Sequence, residues 1–303
     1  MRPVALTGGT GFIGRHLVAR LRQRGVVLRL LTRRPPAAED RLPGIVWIEG
    51  ALTDKDALRQ LVDGVGCVVH GAGVVATLDR RHFHEVNVAG TARLLHLLPD
   101  RARLVHVSSL AARAPHVSAY AASKLEAERL VAAMRPDAVI VRPPAVYGPG
   151  DRATLPIFRQ LARGLLVMPA PAEARFSLLF VEDLVDLLVT AVTDPGLDGR
   201  SLEPDDGRPG GYRWRDLAEL AAAARGAPVR FVRLPPPPLR PVAALLDAMG
   251  RWRGAPLPLG RDKLGELAHP DWVAAGVPGW HGQTEFRGGF AATVAWYRCR
   301  GWL

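Results

Sequence analysis

The stretch Thr7-Gly8-Gly9-Thr10-Gly11-Phe12-Ile13-Gly14 follows a short apolar run, Pro3 to Leu6, which we interpret as a strand. From Phe12 to Leu21, apolar residues recur at the spacing that places them on one face of a helix. A strand, a glycine turn and a helix N-terminus form an anion site, because free backbone N–H groups and the helix dipole point at the same place. Glycine allows positive φ in the turn and leaves room for a pyrophosphate. The spacing is G-x-x-G-x-x-G. A glycine triplet also occurs in ordinary turns, but the flanking strand and helix favour dinucleotide binding.

Short apolar runs and helical patterns alternate downstream of this turn. The apolar runs are Val26 to Leu31, Ile45 to Ile48, Cys67 to His70, Leu104 to Val107 and Ala138 to Val141. The helical patterns cover about Asp54 to Val62, Arg81 to Leu98 and Ala119 to Met134. Such alternation with short connections predicts an α/β fold, a Rossmann-type doubly wound parallel sheet covered on both faces.

The alternation loosens after Tyr147-Gly148-Pro149-Gly150. We therefore expect a Rossmann domain over residues 1–165, to which residues 176–195 and part of the C-terminus return. Residues 166–303 should mainly form a smaller C-terminal substrate-binding region.

Composition and charge exclude several classes of protein. The chain has 303 residues and a net charge of +11, but its basic residues are scattered and mostly arginine, which does not favour nucleic-acid binding. No apolar stretch reaches the length of a membrane span, and the first strand begins too early for a signal peptide. Cys67 and Cys299 are too far apart for a cysteine metal site, and the histidines, including His70 and His106, lack a carboxylate cluster. We expect a cytoplasmic protein without a metal.

Ser109, Tyr120 and Lys124 form a second group of chemically useful residues. Tyr120 and Lys124 lie one turn apart on the predicted helix. A lysine ammonium about 4 Å from the phenol would favour the phenolate by about 4 kcal/mol before desolvation, which lowers the tyrosine pKa towards the range of a general acid/base. Ser109 follows the fifth predicted strand at its carboxyl end, where ligands bind in such sheets. Tyr-x-x-x-Lys pairs also occur on solvated helix faces. The catalytic interpretation therefore depends on the position of this pair, after Ser109 in a predicted dinucleotide-binding fold.

These motifs together resemble the short-chain dehydrogenase/reductase superfamily, in its extended or atypical branch of NAD(P)-dependent epimerases, dehydratases and reductases. The resemblance covers nearly the whole chain. Its pieces are Thr7 to Gly14, His70 to Gly73, Asn87 to Thr91, Val107 to Ser109, Tyr120 to Lys124, Arg142 to Asp151, Val181 to Leu184 and Thr293 to Arg298.

The resemblance implies a role for each matching residue. Tyr120 would be the catalytic acid/base, Lys124 would lower its pKa and bind the nicotinamide ribose, and Ser109 would orient the substrate, with Ser108 as the alternative. Asn87, at the family's asparagine position, would fix the backbone geometry beside the coenzyme, and an ordinary polar helix residue is the alternative. The implied cofactor-binding residues are Thr7, Gly8, Gly11, Phe12, Ile13, Gly14, Arg33, Arg34, Ala72, Gly73, Asn87, Lys124, Pro143 and Val146.

Coenzyme choice and reaction type rest on fewer residues. Arg33 and Arg34 follow the second strand where NAD-specific sites place a carboxylate, which favours NADP(H) over NAD(H). Only ten residues separate Ser109 from Tyr120, and Leu110 and the alanines beside it are apolar. We therefore expect an oxidoreductase that reduces a carbonyl or oxidises a hydroxyl of a small, fairly apolar substrate. A sugar-nucleotide epimerase or dehydratase and a non-enzymatic NADP(H)-binding module are the alternatives, and a homodimer is compatible with the resemblance.

Overall fold

The computed structural model describes residues 2–255, 257 and 259–303. Within them the chain divides into two compact units. The first unit comprises Met1–Pro115, Ala119–Arg142 and Val185–Leu202, and the second comprises His116–Ser118, Pro143–Leu184 and Glu203–Leu303.

Short strands and helices account for most of the described chain. The strands are β1 (Val4–Thr7), β2 (Leu28–Thr32), β3 (Ile45–Glu49), β4 (Cys67–His70), β5 (Arg103–Val107), β6 (Val139–Val141), β7 (Ala145–Tyr147), β8 (Leu165–Pro169), β9 (Arg175–Phe176), β10 (Leu178–Phe180), β11 (Ser201–Leu202), β12 (Tyr212–Arg213), β13 (Arg230–Leu234) and β14 (Asp271–Trp272). The helices are α1 (Phe12–Gln23), α2 (Lys55–Val62), α3 (Arg80–Phe83), α4 (Gly90–Leu97), α5 (Ala119–Met134), α6 (Leu155–Ala162), α7 (Val181–Thr193), α8 (Trp214–Arg225), α9 (Arg240–Arg253), α10 (Arg261–Ala268) and α11 (Phe286–Cys299).

A seven-stranded parallel sheet forms the centre of the first unit. Its strand order is β11-β6-β5-β4-β1-β2-β3, which confirms the predicted doubly wound α/β fold. The order reverses between β1 and β4, where Thr7 pairs with His70 at the carboxyl ends of the two strands. Open α/β sheets bind ligands at this point of reversal. The fold therefore places the glycine turn, which follows Thr7, at the expected site edge.

The inner strands of the sheet are buried because they are apolar on both faces. Every residue of β1 and of β4 is buried, and Val68 and Leu104 lie in a core with Leu58 and Leu61 of α2 and Leu94 of α4. Helices that cover both faces of a parallel sheet leave no solvated side, so the strands lack the polar alternation of a half-exposed sheet.

Two details of the first unit were not predicted. Strand β11 completes the sheet beside β6, but its two residues, Ser201 and Leu202, are too few to produce a recognisable pattern. The predicted helix from Arg81 to Leu98 is divided into α3, a π-helical segment over His84–Ala89, and α4. Such π segments insert an extra residue into a helix and are frequent at functional sites.

The second segment of the first unit ends at Arg142 and its third begins at Val185. The domain bounds drawn from the sequence, residues 1–165 and 166–303, stay a prediction. Strand β7 pairs with β10 instead of joining the seven-stranded sheet, so the chain enters the second unit directly after β6. Residues 185–202 return to the first unit, whereas α11 belongs to the second. None of the described helices is both long and apolar enough to cross a bilayer.

Aromatic side chains dominate the core of the second unit. Tyr147 of β7 stacks on Phe158 of α6 with ring centroids 5.5 Å apart, and Phe158 stacks on Phe290 of α11 at the same distance. Phe286 and Tyr297, also of α11, are fully buried in this cluster. The C-terminal helix is therefore held by aromatic packing within its own unit.

Candidate active site

The glycine turn between β1 and α1 forms a cradle without side chains. Gly8 has φ +77°, and a Cβ there would lie 2.6 Å from the carbonyl carbon of Gly71. A Cβ on Gly14 would lie 2.1 Å from the Gly8 oxygen. Gly11 is the N-cap of α1, no side chain caps the helix, and its first turn has no acidic residue. The cradle therefore fits a pyrophosphate, which would meet unpartnered N–H groups at the start of the helix.

Phe12 and Ile13 are the first two residues of α1 and are half-buried. Their backbone N–H groups lie in the first turn of the helix, where N–H groups have no acceptor within the helix. They are placed to contribute N–H donors rather than side chains to an anion.

Thr7 links the ends of β1 and β4. Its Oγ1 accepts a hydrogen bond from the Ala72 N–H at 3.1 Å and donates to His70 Nδ1 at 2.7 Å. The Gly71 N–H donates to the Thr7 carbonyl at 3.1 Å. Thr7 and Ala72 are therefore held together at the point where the strand order reverses.

Asn87, in the π segment, connects the loop after β4 to helix α5. It is buried, its Oδ1 accepts from the Val74 N–H at 2.8 Å, and its Nδ2 donates to the Val74 carbonyl at 3.0 Å and to Ser123 Oγ at 2.9 Å. Ser123 Oγ donates in turn to the Tyr120 carbonyl at 2.7 Å. These bonds favour the backbone-fixing interpretation of Asn87, and contact with a coenzyme stays a prediction.

Lys124 is a buried residue in the second turn of α5. Its side chain is 7% exposed, and its Nζ donates to the Val107 carbonyl at 2.9 Å, directly before Ser108. Burial lowers the pKa of Lys124 to about 8, against the opposing charge of Glu128. A Cβ on Gly73 would lie 4.0 Å from Nζ and 3.1 Å from Asn87 Oδ1. The structure thus brings Lys124, Gly73 and Asn87 together, and the lysine keeps its charge at neutral pH.

Tyr120 lies one turn before Lys124 on α5. It is half-buried, and its ring centroid is 6.1 Å from that of Phe83 on α3. The aromatic contact and the bond from Ser123 to the Tyr120 carbonyl hold this residue from two sides. Both residues of the predicted acid/base pair therefore belong to one packed region of the first unit.

The two serines after β5 have different surroundings. Ser109 is half-buried, and its Oγ accepts from the Ala111 N–H at 3.2 Å, which caps a short 3-10 helix over Leu110–Arg113. The Ser109 hydroxyl retains its proton for a second bond. Ser108 is buried, and its Oγ has no hydrogen-bond partner among the described residues. A buried hydroxyl without a partner is unfavourable by about 1–3 kcal/mol, so both serines stay open as the substrate-orienting residue.

Arg33 and Arg34 are exposed directly after β2. Neither guanidinium has a hydrogen bond or ion pair with the described residues, and Thr32 Oγ1 accepts from the Arg34 N–H at 3.3 Å. Pro143 and Val146 lie in the second unit, on either side of the start of β7. Their predicted place against the nicotinamide stays a prediction.

The sequence did not predict a buried hydrogen-bonded chain through His70, which it offered only as a rejected metal ligand and as part of the motif His70 to Gly73. His70 Nε2 donates to Thr91 Oγ1 at 2.9 Å, and Thr91 donates to the Asn87 carbonyl at 2.6 Å. Burial, together with the charge of Lys124, lowers the pKa of His70 to about 3, so the ring is neutral. The pairing of the β1 and β4 ends was the signal that could have suggested the contact between Thr7 and His70.

His106 lies beside His70 on the neighbouring strand β5, with ring centroids 5.3 Å apart. Neither of its ring nitrogens has a hydrogen-bond partner among the described residues. Burial, reinforced by the charge of Lys124, lowers its pKa well below the usual value. Two neutral histidines are therefore enclosed under the site.

Acid unfolding should report on these histidines. In the unfolded chain they bind protons near pH 6.5, whereas the folded protein excludes those protons down to about pH 3 for His70. Below pH 6.5 the unfolded state thus binds more protons, and the free energy of unfolding should fall by about 1.4 kcal/mol per pH unit for each histidine. Urea unfolding at a series of pH values measures this slope.

His106→Leu should remove one histidine's share of that slope. It should also raise the free energy of unfolding at pH 7 by about 1–3 kcal/mol, because it removes two unpaired nitrogens from the core. His96→Gln, a change at an exposed histidine, is the control for histidine replacement and should leave the free energy of unfolding at pH 7 nearly unchanged. An unaltered slope in His106→Leu would contradict the assignment of a protonation penalty to this ring.

The glycine cradle at the sheet's point of reversal and the Tyr-Lys pair on α5 define a Rossmann-type, dinucleotide-dependent protein. Residues 4–201 match the model described as "NAD dependent epimerase/dehydratase family". The chain belongs to this family, which confirms the resemblance to the extended short-chain dehydrogenase/reductase superfamily.

Individual relatives agree with this assignment. A ceramide reductase of Caulobacter vibrioides (strain NA1000 / CB15N) is 39% identical over 308 residues, which cover 99% of this chain and 96% of the relative. A 2-alkyl-3-oxoalkanoate reductase of Stenotrophomonas maltophilia (strain K279a) is 28% identical over 89% of this chain and 91% of the relative. The structure "MoeE5 in complex with UDP-glucose and NAD" superposes with a TM-score of 0.74 over 98% of this chain and 99% of that chain. At 22% identity this similarity shows the fold alone. The chain is an NAD(P)-dependent oxidoreductase.

Proposed function

We propose that the chain is an NADPH-dependent reductase of a ketone carried on a long-chain, lipid-like molecule. The observation that carries this proposal is the similarity along nearly the full length to a protein named ceramide reductase, combined with the buried Lys124 one turn after Tyr120. The 2-alkyl-3-oxoalkanoate reductase is also named for an alkyl-bearing oxo compound. Leu110, Ala112 and Ala114 are buried, so their apolar character reflects packing and adds nothing about the substrate.

Three residues of the first unit have separate roles in the proposed reduction. A nicotinamide coenzyme held at this site would supply the hydride that reduces the carbonyl carbon. Tyr120 donates its phenolic proton to the carbonyl oxygen, and the charged Lys124 favours the phenolate that this donation leaves. Ser109 donates a hydrogen bond to the same oxygen and orients it, with Ser108 as the second candidate. Gly8, Gly11 and Gly14 leave room for the pyrophosphate.

A direct assay separates the reductase from the other functions. Purified protein is mixed with NADPH and a long-chain 3-oxo lipid in detergent, and absorbance at the NADPH band is followed. A reductase consumes NADPH in proportion to the alcohol formed. Sugar-nucleotide epimerisation, which the family model makes the second candidate, would convert UDP-glucose without net loss of NADPH. Tight NADPH binding with no turnover of either substrate would support a non-enzymatic binding module.

The preference for NADPH follows from the two exposed arginines after β2. Their unpaired guanidinium groups can form charge-assisted hydrogen bonds with the 2′-phosphate. We expect a larger rise in melting temperature with NADPH than with NADH. The double variant Arg33→Ala/Arg34→Ala should lose about 2 kcal/mol of NADPH affinity and keep its NADH affinity.

A double variant of two other exposed arginines in the first unit, Arg24→Ala/Arg101→Ala, is the matched control because it removes the same charge. It should keep the preference for NADPH. A wild-type protein that is stabilised more by NADH would contradict the assignment of Arg33 and Arg34.

Location and assembly complete the proposal. The enzyme would act in the cytoplasm, on a small-molecule substrate, and would form a homodimer through the helices that carry Asn87 and Tyr120. Light scattering on the purified protein measures the oligomeric state, and a monomer at micromolar concentration would contradict the dimer.

A further inference from the structure

Helix α9 of the second unit carries a row of large apolar side chains that face solvent. They are Val242, Leu245, Met249 and Trp252, which we name the apolar stripe. Their spacing of three, four and three residues places them on one side of the helix. Leu245 is 61% exposed and Trp252 is 88% exposed, the highest value of any large apolar side chain in the part of the chain that the structure describes. The stripe is therefore continuous and uncovered.

The opposite side of α9 already anchors the helix. Ala243 and Gly250 are buried, and α10 packs against α9. Asp247 accepts a hydrogen bond from the Arg261 N–H at 3.3 Å, which ties the start of α10 to the middle of α9. The helix thus packs with its small residues and presents its large ones outwards. Single exposed apolar residues are ordinary, but a continuous exposed row indicates a binding surface.

The charges around the apolar stripe have one sign. Arg251 and Arg253 lie in the last turn of α9, on either side of Trp252, whereas Arg240 lies towards α10, where it lines a cavity with Arg261 and Leu264. None of the three forms an ion pair with the described residues. The single acidic residue of the helix, Asp247, is neutralised by Arg261, whose Nε is 3.3 Å from the carboxylate. An apolar row with an arginine rim matches a surface that offers both hydrocarbon and negative charge.

We propose that α9 docks the protein on a bilayer that contains anionic phospholipids. The helix lies in the plane of the interface, with the apolar stripe among the upper acyl chains and the arginines at the phosphates. Its 14 residues measure about 21 Å, too short to span the bilayer, so it lies on the membrane. Trp252 sits at the boundary, where an indole ring is favoured.

The positive charge of α9 favours a bilayer over a second copy of the chain as the partner that covers the apolar stripe. Two α9 helices placed face to face through their stripes would add the charges of four arginines, Arg251 and Arg253 of each copy, and the repulsion would oppose the gain from apolar burial. An anionic bilayer pairs with the same arginines. The proposal goes beyond the reductase activity and does not depend on it, because its readout is membrane binding and the apolar stripe contains no residue of the catalytic site.

Vesicle flotation tests the proposal on the full chain. The protein is mixed with vesicles of phosphatidylcholine alone, or of phosphatidylcholine with phosphatidylglycerol, and the floated fraction is measured at several salt concentrations. We expect binding to the anionic vesicles that weakens with salt. The triple variant Leu245→Gln/Met249→Gln/Trp252→Gln should lower the partition coefficient about a hundredfold or more, since three apolar side chains no longer enter the hydrocarbon. Arg251→Ala/Arg253→Ala should lower it about fivefold for each arginine.

The matched control changes three other exposed apolar residues. Val27→Gln/Leu42→Gln/Val46→Gln lies in the first unit and should bind vesicles as the unchanged protein does. Circular dichroism and the melting temperature check that each variant is folded.

Quenching by lipids with brominated acyl chains supplies an independent measurement. The fluorescence of the bound protein should be quenched, and Trp252→Phe should lose most of that quenching while it still floats with the vesicles. Equal vesicle binding by the glutamine triple variant and the unchanged protein would overturn the proposal. So would self-association in sedimentation velocity that the triple variant abolishes, with no vesicle binding by the unchanged protein, because the second copy would then be the occupant.

Discussion

Tyr120→Phe should lower kcat about a thousandfold with NADPH and a ketone substrate, within the range that general acid catalysis contributes. The variant lacks only the phenolic oxygen, so the reaction loses its proton donor while the ring keeps its contact with Phe83. NADPH binding should be nearly unchanged, because the pyrophosphate cradle lies on α1. Single-turnover kinetics and NADPH titration measure the two effects separately.

Tyr147→Phe is the control for that substitution. The Tyr147 hydroxyl is buried, has no hydrogen-bond partner among the described residues, and belongs to the aromatic core of the second unit. Its removal should leave kcat unchanged and should not lower the melting temperature. A Tyr120→Phe enzyme that retained a tenth or more of the normal kcat would exclude Tyr120 as the proton donor.

Gly14→Ala should disrupt the coenzyme cradle. The added Cβ would lie 2.1 Å from the Gly8 carbonyl oxygen, a contact that only a shift of the glycine turn can relieve. We expect a loss of about 3 kcal/mol in the free energy of unfolding, as for other overpacked sites. The stabilisation of about 2.7 kcal/mol that coenzyme at a hundredfold excess over Kd gives should also disappear. Thermal melting with and without NADPH measures both.

Two further glycines make that experiment decisive. Gly288→Ala in α11 places a Cβ in open space, so it should leave NADPH binding unchanged and stabilise the helix slightly. Gly11→Ala places a Cβ 3.2 Å from the Gly8 oxygen, a milder contact that should weaken NADPH binding in a protein that still folds. If Gly14→Ala and Gly11→Ala both bound NADPH normally, the coenzyme would not occupy this turn.

Local patterns made part of this molecule predictable. Helix α5 begins and ends at the predicted residues, Ala119 and Met134, and the glycine turn follows its strand as expected. Both depend on residues close in sequence. The two-residue strand β11 and the pairing of β7 with β10 depend on contacts between distant residues, which periodicity does not report.

In the candidate site, too, only the features set by residues close in sequence could be predicted. Tyr120 and Lys124 could be paired from helix geometry alone. The bonds from Asn87 to Val74 and Ser123, and from His70 to Thr7 and Thr91, depend on residues that the fold brings together from five elements and the loop after β4. The burial of Leu110 also shows why an apolar neighbour in sequence says little about the substrate.

Strand β11 has a consequence for biosynthesis. It covers the outer edge of β6, yet roughly 60 residues of the second unit and α7 must be translated between the two, which takes a ribosome about 3 to 12 s. During that interval the nascent sheet ends in a strand with unpaired backbone groups, the kind of edge that recruits foreign strands. Chaperone demand should therefore peak before residue 202 leaves the exit tunnel, and a gene cut at residue 142 would encode a product prone to aggregate.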